Sequence, residues 1–175
     1  PCGTLFPYTT LFRSDRKDRP FLETGMYDNG STGVAFLRRD GFTSMDAGPD
    51  GGELLTRPIR FSGKHLFVNA DTGKGDLRAE MVDESGTPIA PYTLANCQPL
   101  SADGTLAQIR WNDADDLSPT SGKPVRIRFR VRNGSLYAFW VSVDASGRSD
   151  GYLAAGGPGY PGLVDTVGRD AVEAQ

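Results

Sequence analysis

The sequence predicts an all-β protein, a two-sheet antiparallel β-sandwich of the jelly-roll or immunoglobulin-like type. No helical period of 3.6 residues persists for three turns, whereas runs that alternate between apolar and polar residues recur along the chain. Residues that favour turns separate these runs about every ten residues, as in sandwiches and barrels. A chain of 175 residues is also long enough to bury one substantial core.

Eight alternating runs are predicted as strands. They cover residues 32–38, 42–47, 52–59, 64–71, 75–83, 105–111, 124–132 and 135–143. Residues 42–143 are therefore the predicted sandwich domain. Residues 144–175, which contain a Gly/Pro-rich stretch at 156–162, are predicted to form a surface loop or a disordered tail.

The first fourteen residues are predicted not to be native. Residues 4–14, T-L-F-P-Y-T-T-L-F-R-S, read as the in-frame translation of a sequencing-library adapter, and the alternative is a short apolar strand. Leaving out residues 1–14 removes one arginine and Cys2, so 18 basic and 22 acidic residues give a net charge of −4 instead of −3. Cys97 then has no partner for an internal disulfide.

Composition and charge exclude two classes of protein. The acidic balance argues against a nucleic-acid partner, which would require a basic surface. No run approaches the roughly 18 apolar residues of a transmembrane helix, so no membrane partner is expected.

A hairpin is predicted at Asn133-Gly134, because Asn-Gly between alternating runs favours a two-residue type I′ turn. Its register would place Arg132 opposite Ser135. One face would then join the core, and it carries Val125, Ile127, Phe129, Val131, Leu136, Ala138 and Trp140. The other face would carry Arg126, Arg128, Arg130 and Arg132 together with Tyr137, Phe139 and Val141.

Three interpretations of this arginine-bearing face stay open. It is a solvated face whose ion pairs draw on Glu80 and Asp83, an interdomain docking face, or a site for an acidic ligand.

The sequence predicts no catalytic residue, metal site or cofactor. His65 is the only histidine, and no G-x-S-x-G nucleophile elbow is present. Asp113, Asp115 and Asp116 lack the spacing of a calcium-binding loop and are expected in a solvated turn. Trp111 and Trp140 alternate with apolar residues, so both are predicted in the core rather than as platforms for sugars.

Residues 33–47, G-V-A-F-L-R-R-D-G-F-T-S-M-D-A, resemble the junction that leaves the last propeller strand in glycoside hydrolase family 32-like bacterial proteins. Five further segments resemble the C-terminal β-sandwich of these proteins. They are residues 55–58, 77–80, 83–89, 109–111 and 122–129. The likeness covers roughly residues 32–143.

The resemblance implies a fragment of a larger carbohydrate-active protein. Enzymes of this family carry an acidic triad on a five-bladed propeller, but the motifs W-M-N-D-P-N-G, R-D-P and E-C are absent here, so no catalytic residue is carried over. Residues 15–41 would be the remnant of the last propeller strand and a linker. The expected role is non-catalytic docking on the propeller of the parent chain, and the alternative is a self-standing carbohydrate-binding module. A secreted or periplasmic bacterial location stays open.

Overall fold

The computed structural model describes residues 3–11, 30–153 and 159–173, and the chain divides into two compact units, Pro1–Arg39 and Asp40–Gln175. In the first unit β1 (Gly3–Leu11) pairs antiparallel with β2 (Gly30–Arg38). The strand predicted at 32–38 is confirmed within β2. Residues 3–11 are extended, in line with the strand alternative, and the adapter origin of residues 4–14 stays a prediction.

The second unit is a two-sheet antiparallel β-sandwich, which confirms the predicted fold class. Its strands are β3 (Met45–Ala47), β4 (Gly52–Leu55), β5 (His65–Asp71), β6 (Asp76–Val82), β7 (Asp103–Gln108), β8 (Arg126–Arg132) and β9 (Gly134–Ser142). One sheet has the order β3-β9-β5-β7 and the other the order β4-β8-β6. The described helices are a 3₁₀ turn at Ser118–Thr120 and a single α-helical turn, α1, at Asp170–Glu173.

The core lies between the inner faces of the two sheets. Alternate residues of each strand supply it, as the period of two requires. The phenyl rings of Phe129 on β8 and Phe139 on β9 meet across the sandwich with centroids 5.1 Å apart. Fully buried members include Leu66, Val68, Leu77, Ala79, Met81 and Ile127.

Several strands are shorter than predicted, and side-chain hydrogen bonding explains one of them. β4 ends at Leu55, because the Ile127 N–H bonds the Thr56 hydroxyl at 2.9 Å instead of the Thr56 carbonyl. Further along, Pro58 has no N–H to resume the ladder, and Ile59 forms only an isolated bridge with Val125.

The predicted Asn133-Gly134 hairpin is wrong, because β8 and β9 belong to different sheets. Arg132 lies opposite Asp76, and Ser135 lies opposite Asp71. Asn133 has the positive φ of 45° that such a turn needs, but Gly134 does not, so no type I′ turn forms.

Close packing of two crossovers explains why the chain changes sheets here. The β5–β6 and β8–β9 connections both cross between the sheets, and they lie against each other. A Cβ atom on Gly134 would lie 2.7 Å from the Asp71 carbonyl oxygen, and one on Gly75 would overlap the Arg132 carbonyl oxygen. Gly134 therefore allows the β8–β9 connection to lie close to the β5–β6 connection.

A β-bulge at Tyr137 corrects the predicted faces of β9. Ala70 of β5 lies opposite Leu136, whereas Asn69 lies opposite Ala138, which leaves Tyr137 as the extra residue. An extra residue reverses which face later side chains point to. Leu136 therefore faces the core, as does Phe139, while Ala138 and Trp140 do not.

Trp140 packs instead on the outer face of the four-stranded sheet. Its ring stacks on Phe67 with centroids 5.8 Å apart, and its Nε1–H donates to the Gly147 carbonyl at 2.9 Å.

Asp165 is 1% exposed and accepts N–H bonds from Ser149 at 3.0 Å and Gly168 at 2.7 Å. The described part of 144–175 is thus largely irregular, as expected, but it is packed through buried residues.

Candidate functional site

Two surfaces of the sandwich carry the polar side chains of interest, one on each sheet. The first, here called the arginine face, is the outer face of the three-stranded sheet. It carries Arg126, Arg128, Arg130 and Arg132 from β8, Asp76, Arg78 and Glu80 from β6, and Glu53 and Leu55 from β4. Tyr137 and Phe139, predicted to share this face, lie in the other sheet: Tyr137 at the bulge, and Phe139 with its ring packed against the core.

Most of the arginine face is paired within its own sheet. The Arg128 guanidinium forms an ion pair with Glu80, a carboxylate that also accepts the Leu94 N–H at 3.2 Å. The Arg132 guanidinium donates from Nε at 3.1 Å and from Nη2 at 2.7 Å to one Asp76 oxygen. The solvated interpretation with ion pairs is therefore supported for these arginines, and Glu80 is confirmed as one of the acids.

Asp83 does not supply an acid to this face, which corrects the second part of that prediction. Its carboxylate accepts the Ser85 hydroxyl at 2.6 Å and the Thr87 N–H at 2.9 Å within a turn. These two hydrogen bonds hold the pKa of Asp83 below its ordinary value. Asp83 directly follows the last residue of β6, and its carboxylate closes the turn that leads to Thr87.

Arg130 differs from the other three arginines of β8. It is exposed, and within the described part of the chain neither a carboxylate within 4.0 Å nor a hydrogen bond engages its guanidinium. Arg126 also lacks a carboxylate, but its Nε donates to the Thr56 carbonyl at 2.8 Å. It borders a depression of about 250 Å³ together with Arg78, Arg132, Asp76, Asp50 and Gly51.

The second surface, here called the polar cleft, is a depression of about 310 Å³ on the four-stranded sheet. It lies where the start of β5 meets the end of β7. Its polar lining is formed by Lys64, His65, Gln98, Gln108, Arg110, Asp115 and Asp116. The sequence singled out only His65, Asp115 and Asp116 among them, and the strand pattern contains no signal that brings the other four together.

A chain of hydrogen bonds orders one wall of the polar cleft. Arg110 donates from Nη2 to the Gln108 side-chain oxygen at 2.9 Å. The Gln108 amide nitrogen therefore faces His65 Nδ1, which lies 3.2 Å away and accepts. Since one ring nitrogen accepts, the other carries the proton in neutral His65, and the wall presents an ordered set of polar groups.

Asp116 is held as a carboxylate on the opposite wall. The N–H of Ser118 at 2.8 Å and its hydroxyl at 2.9 Å both donate to Asp116, and these bonds lower its pKa. The positive charge of Lys64 acts in the same direction. A carboxyl with a lowered pKa is a poor general acid. No group of three or more potential metal ligands occurs within the described ranges.

Trp111 lines the cleft with little of its surface, and its place in the core is confirmed. The side chain is 5% exposed, and its Nε1–H donates to the Ala79 carbonyl at 3.0 Å. Its ring meets Tyr92 edge-on with centroids 5.5 Å apart. The prediction for Trp140 fails in a different way, because that ring is half-buried outside the core.

Fold and site together define an all-β sandwich with a paired charged face and a polar cleft. Comparison of the chain with protein families, with curated proteins and with solved structures found no match. Within the described part of the chain, no helix is long and apolar enough to cross a membrane.

Proposed function

We propose that the chain is a non-catalytic accessory β-sandwich of a larger carbohydrate-active protein, similar to those of glycoside hydrolase family 32, and that it binds a saccharide in the polar cleft. The observation that carries this proposal is the composition of the cleft. Hydrogen-bond donors and acceptors of both charge signs converge in one concave surface of about 310 Å³.

The charges of the cleft favour a neutral, hydroxylated ligand. The cations Lys64 and Arg110 are balanced by the anions Asp115 and Asp116. Amide side chains such as Gln98 both donate and accept, as a sugar hydroxyl does. A net charge near zero in the cleft gives little advantage to an ionic ligand. A sugar hydroxyl, in contrast, can hydrogen-bond with either a donor or an acceptor of the cleft.

Binding is favoured over cleavage by the state of Asp116. Glycoside hydrolysis requires one carboxyl with a raised pKa as the acid and a second carboxylate as base or nucleophile. The Asp116 carboxyl has its pKa lowered by Ser118, so it is a carboxylate in the range where an acid is needed. The proposed role is therefore recognition of the saccharide.

A matched pair of variants tests saccharide binding. Asp115 lines the cleft, whereas Asp113 does not, and both are exposed. In a glycan array followed by titration, we expect saturable binding that Asp115→Asn weakens about tenfold, because a charge-assisted acceptor is lost. Asp113→Asn should bind like the parent chain. Equal binding by the two variants, or hydrolysis of a glycan by the purified chain, would contradict the proposal.

Docking on a catalytic propeller is the second candidate function, and the exposed, unpaired Arg130 is the observation that favours it. Arginine is enriched at protein interfaces. Arg130→Glu should weaken association with a separately expressed propeller, while Arg110→Glu, in the polar cleft, should not. If the two charge reversals act alike, the arginine face is solvated and takes no part in docking.

A further inference from the structure

Three guanidinium groups line the depression around Arg130 on the outer face of β6 and β8. We infer that this depression, bordered by Arg78, Arg130 and Arg132, is a binding site for an oxyanion, that is a carboxylate, sulfate or phosphate group. The site is separate from the polar cleft and does not depend on the saccharide proposal.

Strand register brings the three arginines together. Arg78 on β6 lies directly opposite Arg130 on β8, and Arg132 follows two residues later on the same face. Like charges directly opposite each other on a sheet destabilise it. The fold therefore concentrates positive charge at Arg130, and an anion there would relieve the repulsion.

The acids of the depression neutralise only part of this charge. Asp76 accepts both hydrogen bonds from Arg132, and one of its oxygens lies 3.9 Å from Arg78 Nε. Asp50 also borders the depression, but it forms no ion pair within 4.0 Å with any residue that the structure describes. Three cations therefore face two carboxylates, and only one of the two is in an ion pair.

Two of the three guanidinium groups are already held in place. Arg78 Nη1 donates to the carbonyls of Leu94 at 3.3 Å and Cys97 at 3.1 Å. Arg132 is fixed by Asp76. Ligand binding then costs less conformational entropy, because only Arg130 has to be ordered. A guanidinium presents its N–H groups in a planar fork that matches the oxygens of a carboxylate or phosphate.

Glu53 provides an internal competitor for Arg130. It lies directly opposite Arg130 on β4 and is exposed, but its carboxylate is more than 4.0 Å from the guanidinium. Removing its charge should make the depression more positive. We therefore expect Glu53→Gln to strengthen anion binding, which a merely solvated arginine would not show.

The test is an NMR titration of the full chain with sodium phosphate, sodium sulfate and sodium acetate, each against sodium chloride at constant ionic strength. We expect saturable shifts at Gly51 and Arg130 with the oxyanions. Arg130→Gln should lower the affinity about tenfold, as expected for losing one charged hydrogen-bonding partner, while Arg110→Gln in the polar cleft should not change it. Stronger binding of phosphate and sulfate than of acetate would identify a multiply charged ligand. Acetate binding as strong as that of phosphate and sulfate would identify a carboxylate.

Two results would overturn the inference: chloride shifts that match those of the oxyanions, or an unchanged affinity in Arg130→Gln. Arg130 is exposed, so its replacement is expected to fold, and circular dichroism checks this. The site is distinguished from the cleft because Asp115→Asn should leave anion binding intact, while Arg130→Gln should leave saccharide binding intact.

Discussion

Replacement of Trp111 separates a core role from a ligand-binding role. The indole is 5% exposed, donates to the Ala79 carbonyl at 3.0 Å and contacts Tyr92 edge-on. Trp111→Ala removes both interactions and leaves a cavity beneath the polar cleft. Trp111→Phe keeps most of the buried area and removes the hydrogen bond.

The expected magnitudes follow from these contacts. Large aromatic-to-alanine changes in a packed core cost about 3–5 kcal/mol of unfolding free energy. Trp111→Phe should cost about 1–2 kcal/mol, because the Ala79 carbonyl loses a buried donor while the aromatic contact with Tyr92 is largely kept. The order of the two unfolding free energies, with Trp111→Phe more stable than Trp111→Ala, is a sharper test than either value.

Urea unfolding of the full chain measures both costs, and saccharide titration under native conditions measures binding. We expect Trp111→Phe to bind as the parent chain does, since Trp111 exposes little surface to the cleft. A Trp111→Phe variant with unchanged stability and no saccharide binding would refute the reasoning, because it would make Trp111 a ligand platform.

Three further perturbations test the arginine face, the crossovers and the cleft. Glu80→Ala leaves the half-buried Arg128 without its acid and should cost about 2–3 kcal/mol in urea unfolding, below the value for a fully buried pair, while the exposed Glu84→Ala should be neutral. Gly75→Ala forces a Cβ atom onto the Arg132 carbonyl and should cost about 2 kcal/mol or more, whereas Gly162→Ala, with open space around it, should change thermal stability little. Ser118→Ala should raise the pKa of Asp116 toward its ordinary value of 3.8, because one donor to the carboxylate is lost; an unchanged carboxyl titration by NMR would contradict this. Since the folded-state pKa of Asp116 is lowered, its contribution to stability is present above the unfolded pKa and is lost as the pH falls through the folded value, and the variant should lose less stability on acidification.

The alternating pattern predicted the strands well because burial on one face leaves a direct record in the sequence. On β8 the buried Ile127, Phe129 and Val131 alternate with arginines of the outer face. A strand of this kind can be predicted from its own sequence, without knowing which strand it pairs with.

The pairing of the strands could not be predicted, because it depends on packing distant in sequence. Asn133-Gly134 has the composition of a hairpin turn, but contact of Gly134 with the Asp71 carbonyl makes it a crossover. A single extra residue at Tyr137 then reversed the predicted sides of Trp140 and Phe139. The four arginines at 126–132 were correctly predicted on one face, because alternation along a single strand decides that. Which residues lie beside them depends on strand pairing, and that was not predictable.

The crossover has a consequence for function, because it places the arginine face and the polar cleft on opposite sheets. A true β8–β9 hairpin would have put Arg130 and Tyr137 on one continuous surface. Instead β8 pairs with β6, which supplies Asp76 and Glu80, and β9 pairs with β5, which leads from His65 in the cleft. The two surfaces still meet at one point, because Arg78 donates to the carbonyl of Cys97, which bridges Trp111 at the cleft. Substitutions that share no partner, such as those at Arg130 and Asp115, should therefore add independently in stability and in binding.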